Sequence, residues 1–264
     1  MRERCSRWFS GRRGDRLARD LYITYRERLP DRLLSATERK KRQYDRDMLQ
    51  IARSVLDEDS NFVDAGAHAG TVLKRLVKMA PRGQGYAFEP IPSLCRSLGS
   101  KFPGIVVEEI ALSDYQGSAE FHYLTDDPAR SSLIDRPNWE IRRTVKLLKV
   151  AVRRLDDCVP ADVRIAFLKV DVEGAELALL RGARRVLTDD RPVVVFESTS
   201  KNLPEVASYL GSVGMEVSLL PRFPSGTTKE TMELLPGSGE YCFVGYALNS
   251  IEPSKLFTSG PLSA

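Results

Sequence analysis

"NFVDAGAHAG", Asn61 to Gly70, decides the fold. "NFVDAG" reads as a short strand that runs into a glycine turn. The "TVLKRLVKMA" that follows sets Val72, Leu73, Leu76 and Val77 on one helical face. Strand, glycine turn and helix in that order open a parallel sheet, and ligands of such sheets bind beyond the carboxyl ends of the strands. Downstream, "GYAFEP" (Gly85 to Pro90) predicts a second strand, "SLCRSLGSKF" a helix with Leu94 and Leu98 inward, and "GIVVEEIAL" a third strand. This β-α-β-α-β run implies crossover helices.

The rhythm then breaks. "DYQGSAEFHYL", with its turn at Gly117, predicts a hairpin or edge strand. "TDDPARSSLIDRPNWEIRR" has the polar, proline-containing character of a loop over a site. "VKLLKVAVRRLDD" predicts a strand before an acidic turn. The alternation resumes with strand "IAFLKVD", helix "AELALLRGARRVL", strand "PVVVFES" and helix "LPEVASYLGSVG". "MEVSLL" and "YCFVGYAL" close the sheet as an antiparallel pair across the loop Pro221 to Gly239. Upstream, Pro30-Asp31 opens a helical stretch in which Tyr44, Met48, Ile51, Ala52 and Val55 recur at core-facing spacing. The expectation is an α/β fold: a doubly wound, seven-stranded Rossmann-like sheet with its last strand antiparallel, plus an N-terminal helical extension. Residues 1–57 form a basic arm and helix, 58–250 the main domain with an insertion at about 114–155, and 251–264 a tail.

Bulk properties narrow the class. The 264 residues are 42% apolar and 29% charged, ordinary for a soluble globular chain. No apolar run approaches the ~20 residues that span a bilayer. The Arg-rich start does not resemble a secretory signal, and Cys5, Cys95, Cys158 and Cys242 lack metal-ligand spacing. These features predict a cytoplasmic protein with reduced thiols and no metal site. The net charge of +4 is gathered in the first fifteen residues, in "ATERKKRQYDRD" and in "RRTVKLLKVAVRR". All three are interleaved with acids or apolar residues and read as solvated faces before they read as nucleic-acid or phosphate sites. Weak membrane-surface association through the basic arm stays open.

Three cofactors compete for the glycine turn. A nucleotide triphosphate needs GxxxxGK[ST], and here Thr71 follows Gly70 with no lysine before Lys74. A dinucleotide needs GxGxxG; G-A-H-A-G-T crowds the pyrophosphate. S-adenosylmethionine (SAM) has no phosphate but carries an ammonium and a ribose. Asp64, at the strand end, is placed to accept from that ammonium directly or through water, or to order the loop. Glu89, at the end of strand two, is placed for both ribose hydroxyls. Gly66 and Gly70 let the backbone approach a ligand.

The segments "FVDAGAHAGTVLKRLVKMAPRGQGYAFEP", "EIALSDYQG", "RSSL" and "FLKVDVEGAELALLRGA…RPVVVFE" resemble the FkbM family of SAM-dependent methyltransferases. The likeness runs from about Asn61 to Glu197 and implies a class I, Rossmann-like methyltransferase acting on hydroxyls of sugars, glycoconjugates or secondary metabolites. It implies that Asp64, Ala65, Gly66, His68 and Gly70 line the methionine part of SAM, that Glu89 and Pro90 meet the ribose, that Ala111 and Leu112 lie near the adenine, and that Asp171 faces the reaction centre. Many relatives carry Asn where this chain has His68.

Methyl transfer to a hydroxyl needs an aligned acceptor and a group to take its proton. "LKVDVEGAE" supplies Asp171 at a strand tip to orient the acceptor hydroxyl or the SAM tail, or to act as base, with Glu173 as the second candidate; Glu176 reads as a helix cap. Lys169 points to the same side as Asp171 and reads as a buried partner for one of the acids. His122, on the inserted strand, is a further base candidate, and Glu197 is a buried acid for the acceptor pocket. Ser131, Ser132 and Trp139 are candidate acceptor contacts from the loop. No [DN]PP[YFW] turn follows the strand, which argues for a hydroxyl acceptor rather than an exocyclic amine. Two alternatives are a nucleic-acid 2′-O-methyltransferase, weakened by the absence of aromatic–basic interleaving, and a non-catalytic SAM-binding interaction protein, weakened by the intact acids.

Overall fold

The structure is a computed structural model that describes residues 29–125, 127–135, 145–220 and 240–247. Its helices are α1 (Ala36–Val55), α2 (Leu73–Met79), α3 (Pro92–Lys101), α4 (Leu155–Cys158), α5 (Glu176–Arg181) and α6 (Leu203–Ser212). Its strands are β1 (Asn61–Ala65), β2 (Gly85–Phe88), β3 (Val106–Glu108), β4 (Ile110–Leu112), β5 (Gly117–Leu124), β6 (Val145–Arg153), β7 (Ile165–Val170), β8 (Val193–Thr199), β9 (Glu216–Leu219) and β10 (Glu240–Tyr246).

Seven strands form the main sheet in the order β3-β2-β1-β7-β8-β10-β9. Only β10 runs antiparallel, and it does so to both neighbours. The central strands are buried on both faces, which is why they read as near-continuous apolar runs. Side-chain alternation splits those runs between two cores. Phe62, Phe167 and Val195 pack on the side covered by α1, α2 and α3. Val63, Leu168, Val170 and Phe196 pack against α4, α5 and α6 on the other. The same alternation sends Asp64, Lys169, Asp171 and Glu197 toward the α1 side.

Four elements differ from the sequence reading. The helical stretch opens behind Pro30 as read, but as a 3-10 turn over Asp31–Leu33, and α1 starts only at Ala36, because Ser35 and Glu38 close a capping box there: Ser35 Oγ accepts from Glu38 N, and Glu38 accepts from Ser35 N at 2.8 Å. "GIVVEEIAL" is two strands, since the chain leaves the main sheet at Glu109 and pairs β4 in parallel with β6. The insertion is therefore not a simple hairpin: β4-β6-β5 is a separate three-stranded sheet. The helix expected over "AELALLRGARRVL" is broken at Gly182, where a Cβ would stand 2.0 Å from the Ser113 carbonyl oxygen. Among the described residues no helix is long and apolar enough to cross a membrane, and Cys95, Cys158 and Cys242 are free thiols. The basic arm before residue 29, Cys5, Trp139, the loop Pro221–Gly239 and the tail lie outside the described residues.

Candidate active site

A cavity opens where β1, β2, β7 and β8 end. It is closed on one flank by β4 and Phe121 of the small sheet and on another by α1. The glycine turn forms one wall. Gly66 takes φ +75°, and a Cβ there would meet the Asp171 carbonyl oxygen at 1.9 Å, so the crossing of the β1 and β7 ends requires glycine. The crossing is tied by Asp171 N donating to Ala65 O at 3.1 Å and by Gly66 N donating to Phe88 O at 3.0 Å. Ala65, Gly66, Ala67, His68 and Ala69 line the cavity. His68 sits at φ +48°, a conformation that asparagine adopts more readily than histidine.

Gly70 does not line the cavity. It takes φ +82°, and a Cβ there would come within 2.8 Å of both Leu98 and Phe102, so its demand comes from packing against α3 rather than from a ligand. Asp64 is also off the wall and fully buried. Its Oδ1 lies 3.0 Å from Lys169 Nζ, which stands 3.4 Å from Asp171 Oδ2 and donates to Gly66 O at 3.0 Å. The contact the structure shows for Asp64 is with Lys169, which fits the loop-ordering role among those considered. Burial works against the Lys169 charge, but Asp64 and Asp171 outweigh it and hold its pKa above the usual lysine value.

Glu89 is 3% exposed at the end of β2 and lines the cavity. Its carboxylate accepts from His68 N at 2.8 Å and Ile91 N at 2.9 Å. Burial pushes its pKa up to about 7, with the Ile91 and His68 N–H groups and Lys169 opposing the rise. Pro90, Ile91, Ala111 and Leu112 continue the wall as an apolar slot beside it.

The opposite end is acidic. Asp171, Glu173 and Glu197 line it, with Lys41 and Asp45 of α1. Asp171 and Glu197 follow the β7–β8 pair Val170↔Phe196, so they are neighbours across the sheet. Burial raises the Glu197 pKa, Asp171 adds to the rise, and Lys41 and Lys169 pull it back. The Cys242 thiol donates to Glu197 Oε1 at 3.6 Å. Glu173 takes φ +53° on the rim, before Gly174 at φ +103°. Glu176 accepts from Gly174 N at 2.7 Å, so it stabilises this turn.

Two loop and strand candidates fall elsewhere. His122 lies off the wall, because β5 alternates and it is Phe121 that faces the cavity. His122 Nε2 instead stands 3.6 Å from Asp135 Oδ1, away from the residues that line the cavity. Ser131 lines the cavity, but Ser132 does not: its Oγ donates to Glu173 O at 2.7 Å and accepts from Ile134 N, tethering the loop to the rim. The sequence reading missed Lys41, Tyr44, Asp45 and Met48. The core-facing spacing of Tyr44 and Met48 was the available signal, and it pointed to packing alone. Among the described residues no group of three or more His, Cys, Asp or Glu side chains is arranged to hold a metal ion.

A glycine turn, an acid ending β2 and acids ending β7 and β8, on this strand order, define a class I methyltransferase. The chain belongs to the methyltransferase FkbM family: the FkbM domain model matches residues 64–220. It is 27% identical over 195 residues to the 2-O-methyltransferase NoeI of Sinorhizobium fredii, covering 66% of this chain and 76% of that protein. It is also 27% identical over 146 residues to Methyltransferase 1 of Beauveria bassiana, covering 47% of this chain and 59% of that one. A crystal structure of the FkbM methyltransferase from Methylobacillus flagellatus aligns with a TM-score of 0.48 at 18% identity, covering 72% of this chain and 44% of the other.

Proposed function

We propose that this methyltransferase uses SAM to methylate a hydroxyl of a sugar, glycoconjugate or secondary metabolite. The observation that carries the reading is the polarity of the cavity: an apolar slot with the buried Glu89 carboxylate at one end, and the acids Asp171, Glu173 and Glu197 at the other. The residues present fit the cofactor. Glu89 would accept from the ribose hydroxyls, Ile91, Ala111 and Leu112 would flank the adenine, and the turn from Ala65 to His68 would receive the methionine part. When bound, SAM supplies a methyl on a good leaving group.

The chain's own residues do the rest. Asp171, beside Lys169, orients the acceptor hydroxyl. Glu197, half-buried and 3.6 Å from a neutral thiol, is the neighbouring acid that shares the task of accepting the proton. Two histidines serve neither role: His68 contributes its backbone, and His122 faces Asp135.

Calorimetry against SAM, its demethylated product (SAH) and NAD tests the cofactor assignment. Transfer of labelled methyl from SAM to a panel of glycosides and polyols tests the acceptor class. Binding of SAM and SAH without NAD, and label on a hydroxyl, are expected. Asp171→Asn should still bind SAM but lose turnover by about a hundredfold or more. Binding of NAD in place of SAM would overturn the proposal, and unchanged turnover in Asp171→Asn would remove Asp171 from the reaction.

A further inference from the structure

One face of α1 enters the cavity without belonging to the family-matched segment. Lys41, Tyr44, Asp45 and Met48 fall at i, i+3, i+4 and i+7, which is one side of a helix, and all four line the cavity, with Lys41 and Asp45 in the field of its acidic end. They precede residue 64, where the FkbM domain match begins. The face has two halves. Tyr44 and buried Met48 offer aromatic and apolar area; Lys41 and Asp45 offer a donor and an acceptor at its edge.

Lys41 is unusual among these groups. Among the described residues no carboxylate stands within 4 Å of its ammonium, and it donates no hydrogen bond. The protein around its stem works against its charge although the residue is exposed, yet Asp171, Glu197, Asp45 and Glu173 together outweigh that and keep its pKa above the usual lysine value. Lys41 is itself an exposed residue, so its ammonium stands charged at the mouth of the cavity, where a ligand oxygen can replace water on its N–H groups. The surrounding wall carries more carboxylates than cations, so a phosphate or carboxylate on a ligand would be repelled as a whole even where Lys41 met it. An uncharged ring with several hydroxyls satisfies both halves: its C–H face lies on Tyr44 and Met48, and its oxygens meet Lys41 and Asp45.

We propose that this face of α1 is the acceptor-selecting wall, and that Lys41 is its specificity-determining donor, admitting an uncharged, polyhydroxylated ring and rejecting phosphorylated or carboxylated ones. The proposal rests on the methyltransferase reading above. The test uses the full chain loaded with SAH and saturation-transfer NMR with neutral methyl pyranosides, methyl glucuronide and glucose 6-phosphate as probes. At least one neutral pyranoside should bind, and the two anionic probes should not. Lys41→Met should weaken that binding by about tenfold or more, the effect of losing a hydrogen bond from a charged group. Lys41→Arg should recover part of it. SAH affinity, measured on the same samples, should stay within about twofold in both variants, since Lys41 stands at the far end from Glu89. Preferred binding of an anionic probe, no binding of any neutral pyranoside, or pyranoside binding indifferent to Lys41→Met would each overturn the proposal. Failure of the unsubstituted chain to bind SAH would bring down the underlying reading instead, and this proposal with it.

Discussion

Glu89 and Lys169 are two site residues whose chemistry the fold alters. The Glu89 carboxyl has an ordinary value of 4.5 and a folded value of about 7. Because the folded value is raised, the folded chain holds this proton more tightly than the unfolded chain. Its favourable contribution to stability is therefore complete below about pH 4.5 and is lost as the pH rises through about 7. Cofactor binding has the opposite dependence, since an ionised carboxylate accepts from ribose hydroxyls more strongly than a neutral acid. SAH affinity, followed by calorimetry between about pH 5.5 and 8.5, should improve by roughly tenfold and level off above pH 7, and Glu89→Gln should be weak and flat across the range. A flat profile in the unsubstituted chain would show that Glu89 does not meet the ribose. Lys169 poses a different problem, because Asp64 is fully buried with this ammonium as its charge partner at 3.0 Å. Lys169→Met strands that carboxylate and should cost about 3–5 kcal/mol in urea unfolding. A loss below ~1 kcal/mol would mean that water already reaches Asp64.

At the scale of elements, α1 connects stability to the acceptor end. Its first turn is closed by the Ser35–Glu38 capping box, and Lys41 follows within the next turn and a half. Ser35→Ala should cost about 1 kcal/mol, while Ser35→Thr should stay closer to the parent, because its hydroxyl can still accept from Glu38 N and donate to the Glu38 carboxylate. Equal stability of Ser35→Ala and the parent would show that the first turn frays independently of the core. The same elements show what the sequence made legible. The β1 turn, Glu89 and Asp171 are readable because each ends an apolar run whose period places an acid at the strand tip. The four-residue rows of α1 show that Tyr44 and Met48 face inward, but they do not show that Lys41 and Asp45, at the border of that face, reach a cavity whose acidic end is formed by strands more than a hundred residues on. Neither does local pattern separate β3 from β4 within "GIVVEEIAL", because the pairing of β4 with β6 is non-local. The neighbours Ser131 and Ser132 look alike in sequence; the bridge between Ser132 and His122 sends one into the wall and the other to the rim.

The whole molecule gathers its cavity from three separately packed bodies. The two cores of the main sheet meet at the ends of β1, β7 and β8, and the small sheet has its own cluster of Ile91, Leu94, Ala111, Phe121, Val150 and Val152. Ile91 and Ala111 belong to that third cluster and also line the cavity, so a ligand in the slot bears on the small sheet and the main sheet at once. Binding should therefore couple the bodies. At about a hundred times its dissociation constant, SAH should stabilise the native state by about 2.7 kcal/mol. For a chain of this size that corresponds to roughly 5–11 °C in the melting temperature. The more discriminating readout is amide hydrogen exchange. Residues 66–69 should slow because the ligand covers them, and β4 and the β5–β6 pair should slow as well, although most of their amides lie away from the cavity. Protection confined to 66–69 with β4 to β6 unchanged would mean that the small sheet is only a bystander to cofactor binding. In that case its influence on the site would run solely through Ser132, the side chain that ties its loop to the Glu173 carbonyl.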